Sequence, residues 1–259
     1  MEDRPFPTED ALCEHCGYPI KGLAFDADCP ECGQAVAQSS PAHRTLRIEG
    51  QWLGLKSYWR LQLNVLFQPR RSFRSLDVSS VGRVPEQLLL RNSLLAGLII
   101  GAIVFLGSAY VITPRFHRVP IESFFKIAGV GALVICVLTF IEVLGVAAFS
   151  KRRGWRVPFP LARRVCCLAS VGWLPGAVMA GVGIWLFEVL AVGRPWFDHL
   201  LGLVRVGWLC YGALFVLSFL WFETLVWIAV RQVRFANAWP DPPSPPSQTP
   251  PKSNYLPLN

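Results

Sequence analysis

The sequence predicts an all-α membrane protein: a four-helix transmembrane bundle with a small N-terminal zinc ribbon and an interfacial amphipathic helix. Three observations carry that expectation. Of 259 residues, 53% are hydrophobic and only 16% are charged, a balance outside the range of soluble domains. Four apolar stretches, at about 94–112, 127–150, 165–193 and 206–230, each reach the ~20 residues that cross a hydrocarbon core of about 30 Å. Two Cys-x-x-Cys pairs stand in the polar N-terminal segment.

Residues 1–40 are expected to form the zinc ribbon. Cys13-Glu14-His15-Cys16-Gly17 is followed, after twelve intervening residues, by Cys29-Pro30-Glu31-Cys32-Gly33. Cys13, Cys16, Cys29 and Cys32 supply four thiolates, a closed tetrahedral shell for structural zinc. Two residues between ligands let one tight turn aim both sulfurs at one ion, and the glycine after each pair permits the positive φ such a turn needs. Pro30 stiffens the second turn. Each turn leads into an extended segment, so two or three short strands are expected.

Other uses of these cysteines fit less well. A disulfide framework is disfavoured in the cytoplasm, where thiols stay reduced. A redox pair needs a βαβ setting that is absent here. The knuckles also look like those of rubredoxin, which holds iron, but the separation between the pairs is far shorter. His15 and His43 are read as solvent-facing. Cys136, Cys166, Cys167 and Cys210 lie in apolar runs and are read as small buried hydrophobes.

The segment Cys16-Gly17-Tyr18-Pro19-Ile20-Lys21-Gly22-Leu23 with Cys29-Pro30-Glu31-Cys32-Gly33 resembles the CGYxLxGL...CPECG zinc ribbon at the N-termini of many uncharacterised bacterial multi-pass membrane proteins. The likeness covers about thirty residues, with Pro19 and Ile20 where an acidic residue and leucine are more usual. It implies architecture, and a bacterial inner membrane as the setting. The QPRRSFRSL segment before the spans bears a weaker likeness to Yip-type membrane proteins.

Residues 41–86 read as a linker carrying the amphipathic helix. Trp52, Leu55, Trp59, Leu63 and Leu66 recur at three- and four-residue steps, with Lys56, Arg60, Gln62 and Asn64 between them. Pro69 ends the helix, and Arg70, Arg71 and Arg74 follow as candidate ligands for anionic lipid headgroups. Such a helix either lies in the headgroup plane, at about 1 kcal/mol per surface-proximal basic residue, or packs on the bundle.

The bundle is assigned to residues 87–239. The net charge of +8 clusters beside the spans, which points to a bilayer with anionic lipids as the partner and away from nucleic acid. Residues 1–40 hold only Arg4 and Lys21 as basic groups. No apolar signal core follows the acidic opening MEDRPFPTED, so the first span is expected to direct insertion. The middle loop, Lys151 to Arg164, holds six basic residues and no acid, which predicts an N-in, C-in topology. Gly172, Pro175 and Gly176 predict a kink in the third span. The spacings Gly97 to Gly101 and Gly172 to Gly176 predict close helix contacts. Tryptophans near the span ends fit interfacial belts, and interior ones are expected to pack between helices. Residues 240–259, rich in proline, are expected to form an extended, disordered tail.

Three glutamates interrupt the spans: Glu142, Glu188 and Glu223. Ionisable groups in lipid cost about 2.5 kcal/mol or more. They serve either as a proton or cation path or as fixed packing contacts, and the second use is favoured. Glu142 and Glu223 lie at matching depths, ~10 to 12 Å from the cytoplasmic ends. Thr139 and Gly145 share the face of Glu142. No hydrolase, metalloprotease, nucleotide or dinucleotide motif appears, so an enzyme is not expected. The expectation is a membrane-anchored binding or regulatory protein whose cytoplasmic ribbon docks a protein partner. The alternative is a small transporter or channel subunit using Glu142 and Glu223, compatible with a homo-oligomer.

Overall fold

The computed structural model describes residues 10–46, 54–78, 84–111, 121–191 and 202–237. A cysteine module at 10–46 leads to seven helices: α1 Leu55–Phe67, α2 Pro69–Arg74, α3 Val84–Val111, α4 Ile121–Arg153, α5 Phe159–Ala169, α6 Trp173–Ala191 and α7 Gly202–Val233. Four segments are long and apolar enough to cross a membrane: Glu86–Ile103, Ile121–Arg153, Phe159–Gly183 and Phe215–Val233. This is consistent with an integral membrane protein. The proline-rich tail lies outside the described residues, as do Trp52 and the side chain of Glu188.

The helices overrun their apolar stretches. α3 begins at Val84, well before Leu94, because its polar early turns find partners. Asn92 and Ser93 are fully buried. The Asn92 carbonyl accepts from Tyr58 Oη at 2.5 Å and Gln62 Nε2 at 3.0 Å, and its amide donates to Ser170 Oγ at 2.8 Å. Ser170 in turn donates to the Cys167 carbonyl at 2.6 Å. A helix satisfies its own backbone, so it extends past the apolar run wherever such side chains are also satisfied. The basic middle loop shrinks for the same reason: Lys151, Arg152 and Arg153 form the last turn of α4, where the helix dipole favours cations.

This asparagine also sets which face of α1 meets the bundle. The face buried against the rest of the chain is Tyr58, Gln62 and Val65. Leu55, Trp59, Leu63 and Phe67 remain exposed as an apolar stripe, while Leu66 is only partly buried. Hydrogen bonds to Asn92 hold the opposite face on the bundle, and an exposed apolar stripe of this kind suits the headgroup plane, one of the two placements expected.

α3 packs on α4 and α6, α6 packs on α7, and α5 touches α4 and α7. Between α5 and α6 the chain tightens into a 3-10 turn, Ser170–Gly172. Pro175 follows it and cannot donate to the Val171 carbonyl, which accounts for the break. Close approach demands glycine at two places. A side chain at Gly97 would strike the Ala128 carbonyl of α4, and one at Gly176 would strike Ser218 of α7. Trp173 is buried, stacks on Phe222 at 4.9 Å and donates from Nε1 to Thr139 Oγ1 at 3.2 Å, tying α6 to α7 and α4. Trp221 and Trp227 face outward, about half exposed. Cys166 and Cys167 are buried.

The cysteine module has no strand among the described residues. Two isolated antiparallel bridges, Leu12 to Pro19 and Asp28 to Ala35, close its knuckles instead. Each arm is too short to extend a ladder beyond the turn it closes.

The Asn92 knot makes a checkable claim. Asn92→Ala leaves Tyr58, Gln62 and Ser170 without their shared partner, so the protein is expected to lose about 2–4 kcal/mol. Hydrogen exchange should rise first along residues 55–67. Unchanged exchange there would refute the assignment.

Candidate functional site

The two knuckles are near copies. Cys13 N–H donates to the Tyr18 carbonyl and Cys29 N–H to that of Gln34, both at 2.8 Å. Gly17 N–H returns to the Cys13 carbonyl and Gly33 N–H to that of Cys29, again at 2.8 Å. Gly17 and Gly33 adopt φ of 83° and 71°, the left-handed region that glycine enters without penalty. Gly17 is constrained twice over, since the Phe235 ring would lie 2.8 Å from an added Cβ.

This duplication brings all four sulfurs within 4.8 Å of one another. Cys13 Sγ lies 3.6 Å from Cys32 Sγ, and Cys16 Sγ 3.7 Å from Cys29 Sγ. Those separations are far beyond a disulfide of about 2.05 Å. They match the ~3.8 Å edge of a tetrahedron whose metal–sulfur bonds are about 2.3 Å. Backbone N–H groups of Tyr18, Glu31, Cys32 and Gln34 bond to the sulfurs, the supporting shell that thiolate ligands need.

Electrostatics also call for a cation. Burial opposes ionisation of Cys29, but the N–H groups of Glu31 and Cys32 and the neighbouring sulfurs outweigh it and hold the thiol at about 7. Burial, reinforced by the other cysteines, pushes Cys16 up to about 12. Four sulfurs this close can be held as thiolates together by a metal ion, which offsets their mutual repulsion. The module's own core is small: Ala11, Ile20 and Val36 with two of the ligands, Cys13 and Cys29. So few apolar groups contribute little burial, and the module also draws on its contacts with the bundle.

The module is bolted to the end of α7. Asn237 is 4% exposed. Its amide donates to the Leu12 and Ser39 carbonyls, each at 2.8 Å, and its carbonyl accepts from Leu12 N–H at 3.0 Å. Its own N–H donates to Glu14 Oε1 at 3.1 Å. Arg44, also buried, forks onto Glu14 at 3.0 and 2.9 Å and reaches the Leu76 and Gln232 carbonyls. Burial holds the Glu14 carboxyl above its ordinary value in spite of Arg44, so the pair fixes geometry more than it adds stability. Arg156 Nη1 donates to the Asp10 carbonyl at 2.6 Å, and Arg234 Nη2 to that of His15 at 3.0 Å. The module thus sits at the end of the bundle that carries the α4–α5 turn and the end of α7. His15 and His43 are exposed.

The sequence also singles out three glutamates, and the structure brings two together. α4 and α7 both pack on α5 and leave a cleft of about 220 Å³ lined by Glu142, Gly145, Ser150, Trp155, Glu223 and Trp227. The carboxyls of Glu142 and Glu223 lie within reach of each other. Ser150 is fully buried, and neither its Oγ nor Glu223 Oε1 has a partner among the described residues. Two carboxyls and a hydroxyl in one cleft form a donor set for a cation or a proton. Thr139 instead accepts from Trp173. Arg234 touches both places, since its guanidinium lies 6.0 Å from the Trp155 ring at the cleft.

Asn237, Arg44 and Glu14 escaped the sequence analysis, because nothing in their local pattern sets them apart from linker residues. Arg71 and Arg74 do line surface depressions beside the module, while Arg70 is exposed apart from them.

The metal centre is expected to hold one ion per chain by elemental analysis. Its affinity should fall as pH drops below 7, because protons compete for the thiolates. Cys29→Ser should reduce the metal content to well under half an ion per chain. Asn237→Ala should leave the metal in place while costing about 2–3 kcal/mol of module docking, read as faster proteolysis at residues 37–46. Equal proteolysis of the two proteins would refute the latch.

Compared with known proteins, the chain matches no family, no curated protein and no solved structure.

Proposed function

We propose that the chain is a membrane-anchored binding or regulatory protein, without enzymatic activity, whose zinc ribbon docks a cytoplasmic protein partner. The observation that carries this is the latch formed by Asn237 and the Arg44–Glu14 pair. A metal-stapled module held in fixed orientation on a bundle has its partner-facing surface ordered in advance, which lowers the entropic cost of docking. Tyr18 and Phe25 are exposed on it, at 40% and 51%, and aromatic side chains are enriched at interfaces. Zinc, in a structural role, suits a closed four-sulfur shell.

The orientation that goes with this is N-in and C-in, in a bacterial inner membrane. Its support is the gathering of Lys151, Arg152, Arg153 and Arg156 at the same end of the bundle as the module and Arg234, since basic residues are retained on the cytoplasmic side. The bacterial setting follows from the resemblance of the ribbon.

A second reading is favoured by one observation, the shared cleft of Glu142 and Glu223. It makes the chain a small cation or proton transporter subunit. Because Arg234 contacts both the module and the cleft wall, the two readings are compatible: docking at the ribbon would bias the cleft.

Crosslinking in native membranes tests the first reading. A cytoplasmic protein should be captured by the intact chain and lost from a Tyr18→Ser, Phe25→Ser variant that keeps its zinc; an identical capture pattern would reject docking through this face. Proteoliposome flux tests the second. Cation or proton movement should disappear in both Glu142→Gln and Glu223→Gln, and flux that persists in these variants would exclude the cleft as a path.

A further inference from the structure

A basic groove borders the carboxylate cleft, with Arg231 stacked over Trp227 and Arg234 near Trp155 of the cleft wall. α2 packs on α7, and the cysteine module overhangs both. Beneath it run two adjoining depressions of about 380 and 250 Å³, which share Gln38 and Arg74. The larger is lined by His15, Gln34 and Gln38 of the module, Arg74 of α2, Arg231 of α7 and Arg234 just beyond it. The smaller adds Arg71 and His43. Four arginines from two segments distant in sequence line these adjoining depressions.

Their charge is not answered from within. Glu14 is the one carboxylate in the lining. It is held by Arg44 at both oxygens and by Asn237 N–H. Arg74 lies close enough to feel that carboxylate but forms no ion pair or side-chain hydrogen bond among the described residues, and neither does Arg71. Arg231 is stacked over Trp227 at 4.7 Å. Arg234 spends one nitrogen on the His15 carbonyl, and its Nε is buried without a partner. Helix C-termini compensate cations by about half a charge each, and two such termini do not balance four arginines.

We propose that this groove binds a phosphate-bearing anion, with Arg74 and Arg231 as its direct ligands and Arg71 and Arg234 completing the positive field. Guanidinium forks match phosphate oxygens in geometry and charge. The groove opens where α7 and the candidate span Phe215–Val233 end, and the end of a span is where headgroup phosphates would be met. Phosphate comes from two sources there, an anionic phospholipid or a phosphorylated solute, and the chemistry on the protein side is the same. Arg70, adjacent in sequence, lines neither depression, so the groove separates residues that sequence alone groups together.

The test uses the full-length protein with its zinc. In one arm it is reconstituted in nanodiscs of phosphatidylcholine with or without phosphatidylglycerol, and retained lipid is counted by native mass spectrometry. In the other, inorganic phosphate is titrated calorimetrically into delipidated protein in zwitterionic detergent. One arm is expected to show binding that Arg74→Gln with Arg231→Gln weakens by about tenfold or more, while Arg70→Gln leaves it unchanged. Selective retention of phosphatidylglycerol identifies a headgroup site, and phosphate binding without it identifies a solute site. Zinc content reports folding; should the double variant lose zinc, Arg71→Gln alone takes its place, with a smaller loss expected. Absence of binding in both arms overturns the proposal, as does equal binding by the groove variants and the intact chain.

Discussion

Contact with hydrocarbon is the constraint on which the rest of this structure depends. Only 28% of the α4 span is buried inside the protein, with 33% for α3 and 39% for α7, against 67% for the span formed by α5 and α6. The interrupted third span is therefore the hub, and the other three spans wrap it while turning Val130, Leu133, Phe140 and Leu220 outward. Side chains of that kind facing water would cost about 25 cal/mol per Å². An outward apolar surface of this extent is consistent with helices that cross a membrane.

Hydrocarbon tolerates few polar groups, and those that are buried here do specific work. Two asparagines act as junctions. Asn92 joins α1, α3 and the turn after α5 through three hydrogen bonds. Asn237 joins the end of α7 to the cysteine module through both donors and the acceptor of its side chain. In each case the amide both donates and accepts: Asn237 uses both N–H donors and its carbonyl, while Asn92 accepts twice and donates to Ser170, the condition under which burying a polar side chain is tolerated. The Arg44–Glu14 pair adds charge to the second junction and links it to the region after α2.

The cysteine module and the bundle are joined by side chains from both. Four sulfurs placed to hold a metal ion lie at the centre of a module with a small apolar core, and that module caps the end of α7. Arg234 lies on the line between them, bonded to His15 and stacked near Trp155. This one guanidinium is therefore shared between the module and the wall of the carboxylate cleft.

Four apolar stretches and two cysteine pairs made the bundle and the metal ligands legible from the sequence, because length and ligand spacing are local properties. Hydrocarbon thickness sets the one and tetrahedral geometry the other. Matching depths likewise marked Glu142 and Glu223. The partners of Asn92, Arg44 and Asn237, the choice of which face of α1 meets the bundle and the cleft that unites the two glutamates were decided by tertiary structure alone. Asn237 and Leu12 are separated by 225 residues, and no periodicity spans that distance. A buried amide takes whichever partner the packing of apolar surfaces brings within hydrogen-bond range, so its role exists only once those surfaces have met.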